Sequence, residues 1–190
     1  MPLPRVSALL LSCCLLNVAS LPALAAPEVT VLQDGLDHPW SLAFLPDNQG
    51  ALITERDGQL RRWQPGKGLS APIGGVPEVW AQGQGGLLEV LPAPDFATSR
   101  RVYLSYAEQG SGEEADKAGT ALGYGRLSED FTQLTGFRRI FQQQPKLSTG
   151  NHFGGKLAFD RQGHLFMTLG ENNQRPTAQQ LSLLQGKIVR

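Results

Sequence analysis

The 190-residue sequence predicts an all-β chain built from antiparallel strands. Two observations carry this. Short apolar runs of strand length alternate with clusters of Gly, Pro, Asn and Asp, and no long stretch shows helical periodicity. The pattern also recurs: Leu42-x-Phe44…Gly50-x-Leu52-Ile53-Thr54 returns as Leu157-x-Phe159…Gly163-x-Leu165-Phe166-Met167, with a loop two residues shorter. A weaker copy is Leu88-x-Val90…Arg101-x-Tyr103. Meanders recurring over tens of residues mark β-propeller blades, although a β-sandwich of similar hairpins fits the same pattern.

Taken in order, residues 29–32 read as a short strand. Residues 42–45 and 51–54 flank a turn at Pro46-Asp47-Asn48-Gln49-Gly50. Asp57-Gly58 predicts a two-residue type I′ hairpin joining 53–56 to 59–63, because both central positions of that turn need φ > 0. Residues 65–75 read as loop. Strands at 87–90 and 102–106 flank 92–99, residues 109–119 form a polar loop, and 124–127 and 137–141 are further short strands. Residues 157–159 and 165–167 are the two strands of the later repeat. The sequence ends at Gly186-Lys187-Ile188-Val189-Arg190, inside an apparent strand with no polar cap. An open arc of blades leaves strand edges unpaired, so the reading is of part of a longer protein.

The first residues carry a different signal. Arg5 precedes an apolar run from 6 to 18, and Ala23-Leu24-Ala25 is a small-residue cleavage pattern. Residues 1–25 therefore read as a secretory signal peptide, too short and wrongly flanked for a membrane span. Export to the periplasm follows as an expectation, with 26–190 as the mature propeller segment. At ~40–50 residues per blade it supplies about three to four blades. Both cysteines, Cys13 and Cys14, lie in the leader, so the mature chain has neither disulfide nor Cys metal site. Loss of Arg5 leaves sixteen basic against seventeen acidic residues. That balance gives no electrostatic footprint for nucleic acid, and points to small neutral partners.

Three histidines are present. His38, before Pro39-Trp40, reads as structural, and His164, beside Gly163, as solvent-facing. His152 differs in its setting, Ser148-Thr149-Gly150-Asn151-His152-Phe153-Gly154-Gly155. Three glycines in six residues let the backbone take φ > 0 and let a ligand approach the main chain. As read from the residues alone, His152 is either an inert loop histidine or a reactive group at the mouth of a sheet. Gly83-Gln84-Gly85-Gly86 precedes a strand, so it is no dinucleotide loop. It is either a plain β-turn or a device that aims the Gln84 amide at a ligand. Gly170-Glu171-Asn172-Asn173-Gln174 closes a strand as solvated loop or as a polar pocket wall. Metal-ligand spacings, P-loops and nucleophile elbows are absent from the sequence.

Together, His38-Pro39-Trp40-Ser41-Leu42-Ala43-Phe44, Gly83-Gln84-Gly85-Gly86-Leu87-Leu88, Gly150-Asn151-His152-Phe153-Gly154-Gly155, Gly170-Glu171-Asn172-Asn173-Gln174 and Gln185-Gly186-Lys187-Ile188-Val189-Arg190 resemble the soluble quinoprotein glucose/sorbosone dehydrogenases. The resemblance runs in order through the whole mature chain. It implies a six-bladed β-propeller of four-stranded antiparallel blades, of which this chain supplies about half. It also implies a pyrroloquinoline quinone (PQQ) cofactor on the propeller face, held by calcium. By that resemblance His152 is the general base for oxidation of an aldose at C1, with hydride passing to the quinone and electrons onward to an acceptor. Gln84 would contact PQQ, Asn151 would help place cofactor or sugar, and Asn172 would line the pocket rim. Where glucose-specific relatives have an acid before the His, Asn151 resembles the branch with broader aldose specificity. The family's Arg-Asn-Pro-Gln-Gly segment, its later cationic PQQ contacts and its calcium ligands would fall beyond residue 190. A non-catalytic binding propeller and a half-propeller completed by a second chain are the rival readings.

Overall fold

The computed structural model describes residues 27–190; the expected signal peptide lies outside them. Residues 33–190 form one compact unit. The few described residues before it, 27–32, form no strand, and Val29, Val31 and Leu32 are exposed. The strand expected at 29–32 is therefore absent. Three apolar residues stabilise a strand only where a partner and a core face exist, and no strand pairs with them among the described residues.

The compact unit contains three antiparallel sheets. The first has the order β1-β2-β3-β4, comprising β1 (Pro39–Phe44), β2 (Ala51–Glu55), β3 (Gln59–Gln64) and β4 (Gly68–Leu69). The second has the order β5-β6-β7-β8, comprising β5 (Leu87–Pro92), β6 (Arg101–Gln109), β7 (Ala118–Leu127) and β8 (Leu134–Gln142). The third pairs β9 (Gly154–Phe159) with β10 (Leu165–Leu169), and β10 with β11 (Ile188–Val189). A single turn of helix, α1 (Phe96–Ser99), lies between β5 and β6. Each sheet is a plain meander, and β5 packs against β1 and β2 on one side and β9 on the other. This is the arrangement of β-propeller blades: two complete and a third with three strands.

Packing between the sheets fixes the blades in place. Leu52, Leu60, Leu87, Val90, Leu104 and Tyr106 form the layer between the first two. Leu122, Leu157, Met167 and Leu169 belong to the layer reaching the third. Buried hydroxyls tie the blades together: Thr54 Oγ1 donates to the Leu88 carbonyl at 2.7 Å, and Ser105 Oγ to the Gly155 carbonyl at 2.5 Å. These contacts join the early residues of the second and third inner strands. Ser41 Oγ meets the Val90 amide in the same sense. The starts of β1, β5 and β9 therefore lie at one end of the stack, and so do the loops that precede them.

Four local expectations change. Residues 56–58 form a three-residue loop, since Glu55 pairs with Gln59 and the Gly58 amide bonds the Glu55 carbonyl at 3.1 Å. Gly58 alone takes positive φ, at 101°, as in a tight turn closed by a glycine bulge. The region 65–75 contains the short strand β4. β7 starts at Ala118, inside the stretch read as loop. Its small residues hid it: a Cβ on Gly123 would meet Phe137 at 2.4 Å, and one on Gly125 would meet Leu134 at 2.8 Å. Finally, the repeat shifts by one residue. Phe44 pairs with Ala51, but Phe159 pairs with Leu165, so Ile53 corresponds to Met167 and the later loop is one residue shorter, not two.

Candidate active site

The segment from β8 to β9 is fastened before it reaches His152. The Lys146 Nζ, 4% exposed, donates to Glu108 Oε2 at 2.7 Å and to the Glu108 carbonyl at 3.2 Å. Burial pushes the Glu108 carboxyl up, but the hydrogen bonds from Lys146 and Arg139 outweigh it and hold the group below the usual Glu value. Leu147 exchanges two 3.0 Å backbone bonds with Ala118, and Gln185 Nε2 donates to the Pro145 carbonyl at 3.0 Å.

Beyond this anchor the chain meets the loop before β5. The backbone N–H of Gln84 donates to the Gly150 carbonyl at 2.7 Å, and a Cβ on Gly83 would lie 2.4 Å from that same oxygen. The Gly85 amide bonds the Gln82 carbonyl at 2.9 Å, so the segment is a β-turn. It also does more than turn the chain, because Gln84 Oε1 accepts the His152 backbone N–H at 2.9 Å. That bond leaves the Nε2 of Gln84 with no protein partner among the described residues. The side-chain amide of Asn151 is likewise without one.

His152 sits at φ 52°, a left-handed conformation uncommon outside glycine that usually marks a constrained position. Its Nδ1 lies 2.5 Å from Glu171 Oε1. The imidazole is 40% exposed and the carboxylate 20%. The hydrogen bond from His152 holds the Glu171 carboxyl below its usual range. A carboxylate only accepts, so the neutral ring carries its proton on Nδ1 and leaves the Nε2 lone pair free. The arrangement is that of a base oriented by an acid.

Asn172 does not line a rim. It is 1% exposed, with Oδ1 accepting from Gln143 Nε2 at 3.2 Å and Nδ2 donating to the Asn151 carbonyl at 3.0 Å. Its polar atoms are turned inward, so a direct substrate contact gives way to a role in holding the loop. His152, Gln84 and Asn151 lie together in the structure. His38 lies at the same end of the stack and pairs its Nδ1 with Asp37. His164, 42% exposed, pairs with Asp160 on a hairpin.

Sequence reasoning missed Glu171 and Gln143. Glu171 could have been found from strand register: Leu169 pairs with Gly154, so the residues after β10 lie beside those before β9. Gln143 carried no such signal, since its partners are largely main-chain groups on other elements.

Residues 36–190 match the Glucose / Sorbosone dehydrogenase family. The chain is 66% identical over 175 residues to aldose sugar dehydrogenase YliI of Escherichia coli K12, covering 92% of this chain and 46% of that protein. A solved glucose dehydrogenase superposes with a TM-score of 0.83 at 73% identity, covering 86% of this chain and 47% of the other. The PQQ-bound aldose sugar dehydrogenase of Streptomyces coelicolor superposes with a TM-score of 0.74 at 28% identity, covering 85% and 46%. The chain thus spans less than half the length of these relatives. It belongs to the glucose/sorbosone dehydrogenase family.

Proposed function

We propose that the chain carries the base-bearing half of a PQQ-dependent aldose dehydrogenase site, working in the periplasm after removal of residues 1–25. The observation that carries this reading is the His152–Glu171 pair, with the imidazole 40% exposed and its main-chain N–H held by Gln84. The available groups suit the carbonyl-bearing part of PQQ. With Oε1 already bonded to the His152 N–H, Gln84 has both Nε2 hydrogens available as donors, and Asn151 adds a free amide. These residues would hold the cofactor's polar edge or the sugar's hydroxyls.

In this reading Nε2 of His152 takes the proton of the anomeric hydroxyl as C1 becomes a lactone carbonyl. Glu171 keeps Nδ1 protonated and stabilises the imidazolium that forms. PQQ, when bound, supplies the acceptor for the hydride that leaves C1. Gln84 fixes the main chain of the base, and its free Nε2 would help hold the cofactor. Among the described residues no cluster of three or more His, Cys, Asp or Glu could hold a metal. By the family resemblance, and not from that absence, calcium is proposed to bind through ligands beyond residue 190. No described helix is long and apolar enough to cross a membrane.

The test joins residues 26–190 to the portion of the E. coli relative that lies beyond the matched region. The chimera should bind PQQ in the presence of calcium and reduce a dye with several aldoses, while 26–190 alone should give little PQQ-dependent reduction. A chimera that folds but neither binds PQQ nor oxidises sugar would count against the reading. Mass spectrometry of the N-terminus from a periplasmic fraction checks export and the cut after Ala25.

A further inference from the structure

Two tripeptides flank the His152–Glu171 pair, and the bonds between them continue the β9–β10 ladder past its end. The Gly170 amide donates to the Phe153 carbonyl at 2.9 Å, the Asn172 amide to the His152 carbonyl at 3.3 Å, and Asn172 Nδ2 to the Asn151 carbonyl at 3.0 Å. A Cβ on Gly170 would fall 1.6 Å from the His152 carbonyl oxygen, which shows how closely the two segments approach.

A single buried side chain locks this zipper from behind. Gln143 has no exposed surface. Its Oε1 accepts the Thr120 amide at 3.1 Å, and its Nε2 reaches both the Gly170 carbonyl and Asn172 Oδ1 at 3.2 Å. Nε2 has two hydrogens, so the amide is used on both sides. Gln143 therefore touches the residue before Glu171 and the residue after it, and fastens both to β7. Thr120 joins the same arrangement from its hydroxyl, which donates to the Phe153 carbonyl at 2.6 Å.

We propose that Gln143 and Asn172 form a buried clamp that positions the His152–Glu171 pair and so selects which imidazole nitrogen faces the ligand. The proposal rests on His152 being the base, and it names two positioning residues for that reaction. The main chain around His152 is held at four points: its N–H by Gln84, its carbonyl by the Asn172 amide, and the two neighbouring carbonyls by Asn172 Nδ2 and by Gly170 with Thr120. With the backbone fixed at φ 52°, the direction of the ring is set by the clamp. An apolar side chain in place of Gln143 would leave the Thr120 amide without its partner in a site closed to water. The zipper would keep its own bonds between the two tripeptides but lose the ties from the Gly170 carbonyl and Asn172 Oδ1 to Gln143.

The choice of Asn at 172 permits a clean test. Asn172 sits at φ 50°, a conformation that glycine takes without strain. Asn172→Gly therefore removes the side-chain bridge while keeping the backbone. The isotopically labelled full chain is compared with Asn172→Gly and Gln143→Leu by imidazole 15N shifts and by titration of the Glu171 side-chain carboxyl carbon. The unaltered chain should show the Nδ1–H form of His152. Both variants should move it toward the Nε2–H form by several-fold in population and raise the Glu171 midpoint toward its ordinary value. The His164 ring, paired with Asp160 on a separate hairpin, should stay unchanged. An Nε2–H ring in the unaltered chain would overturn the clamp. So would a folded Asn172→Gly with unaltered His152 and Glu171 signals, or loss of fold in that variant. None of these readouts uses turnover, so failure of the clamp and failure of the base assignment are separately visible.

Discussion

His38 and His152 occupy matching places in their blades. Each lies just before an inner strand, His38 before β1 and His152 before β9, and each takes left-handed φ, 45° and 52°. Each directs Nδ1 at a carboxylate and has its carbonyl bonded by an amide from beyond the second strand, Arg56 or Asn172. The difference lies in what holds the pair. The acid beside His38 is its own chain neighbour, Asp37, and both side chains are 62% exposed. The acid beside His152 is nineteen residues away and partly covered, and its two neighbours, Gly170 and Asn172, are fastened by Gln143. An adjacent exposed pair is solvated and weakly constrained. The distant pair inherits the geometry of two blades, so the fold constrains the candidate site at one position and leaves an exposed turn at the other.

The largest predicted difference comes from glycine. Gly170→Ala drives a methyl into the His152 carbonyl and should cost about 3 kcal/mol or more, whereas Gly35→Ala, at φ 70° with open space around it, should cost about 1 kcal/mol of backbone strain. Urea unfolding of the two variants measures the gap, and equal losses would mean that the two segments are equally constrained.

Gln143→Leu should come next, at about 2–3 kcal/mol, because it strips partners from buried polar groups. The same unfolding experiment reads it, and a loss below that of Gly35→Ala would contradict the account.

The Lys146–Glu108 anchor adds a pH dependence. The Glu108 carboxyl is depressed in the folded chain, so its contribution is present above the ordinary Glu value of 4.5 and is lost as pH falls through the lower folded value. Amide exchange should therefore quicken in residues 143–150 below about pH 4.5 before it does in β2. Lys146→Met should weaken that acid sensitivity. Uniform quickening across both blades would argue against the anchor.

The smallest effect is expected at the other histidine. His38→Gly relieves a left-handed backbone and removes an exposed ring, so stability should change by less than about 1 kcal/mol. In the chimera, sugar oxidation should be retained.

The sequence exposed those parts of the site whose residue types clash with packing. Gln84, Asn151 and His152 stand among glycines where nothing apolar is required, and they cluster. Glu171 was visible only as one of several polar residues after a strand, because its meaning depends on the register of β9 against β10. Gln143 was silent, since a glutamine bonded largely to main chain leaves no spacing to recognise. In the fold, repeated apolar runs revealed the meander, but the Gly- and Ala-rich start of β7 concealed a central strand. The apolar run at 29–32 suggested a strand where none forms. Leu42 and Phe44, the residues that defined the repeat, are 52% and 76% exposed, while Leu157 is buried, so a shared pattern does not guarantee a shared environment.

The most direct test of the central claim is kcat for aldose oxidation by the chimera carrying His152→Gln, beside the same chimera with His38→Gln. Loss of a general base should lower kcat by about 10²-fold or more while KM for the sugar changes little, and the His38 variant should match the parent. Comparable kcat in both variants would show that His152 is not the base, however well its pair with Glu171 is built.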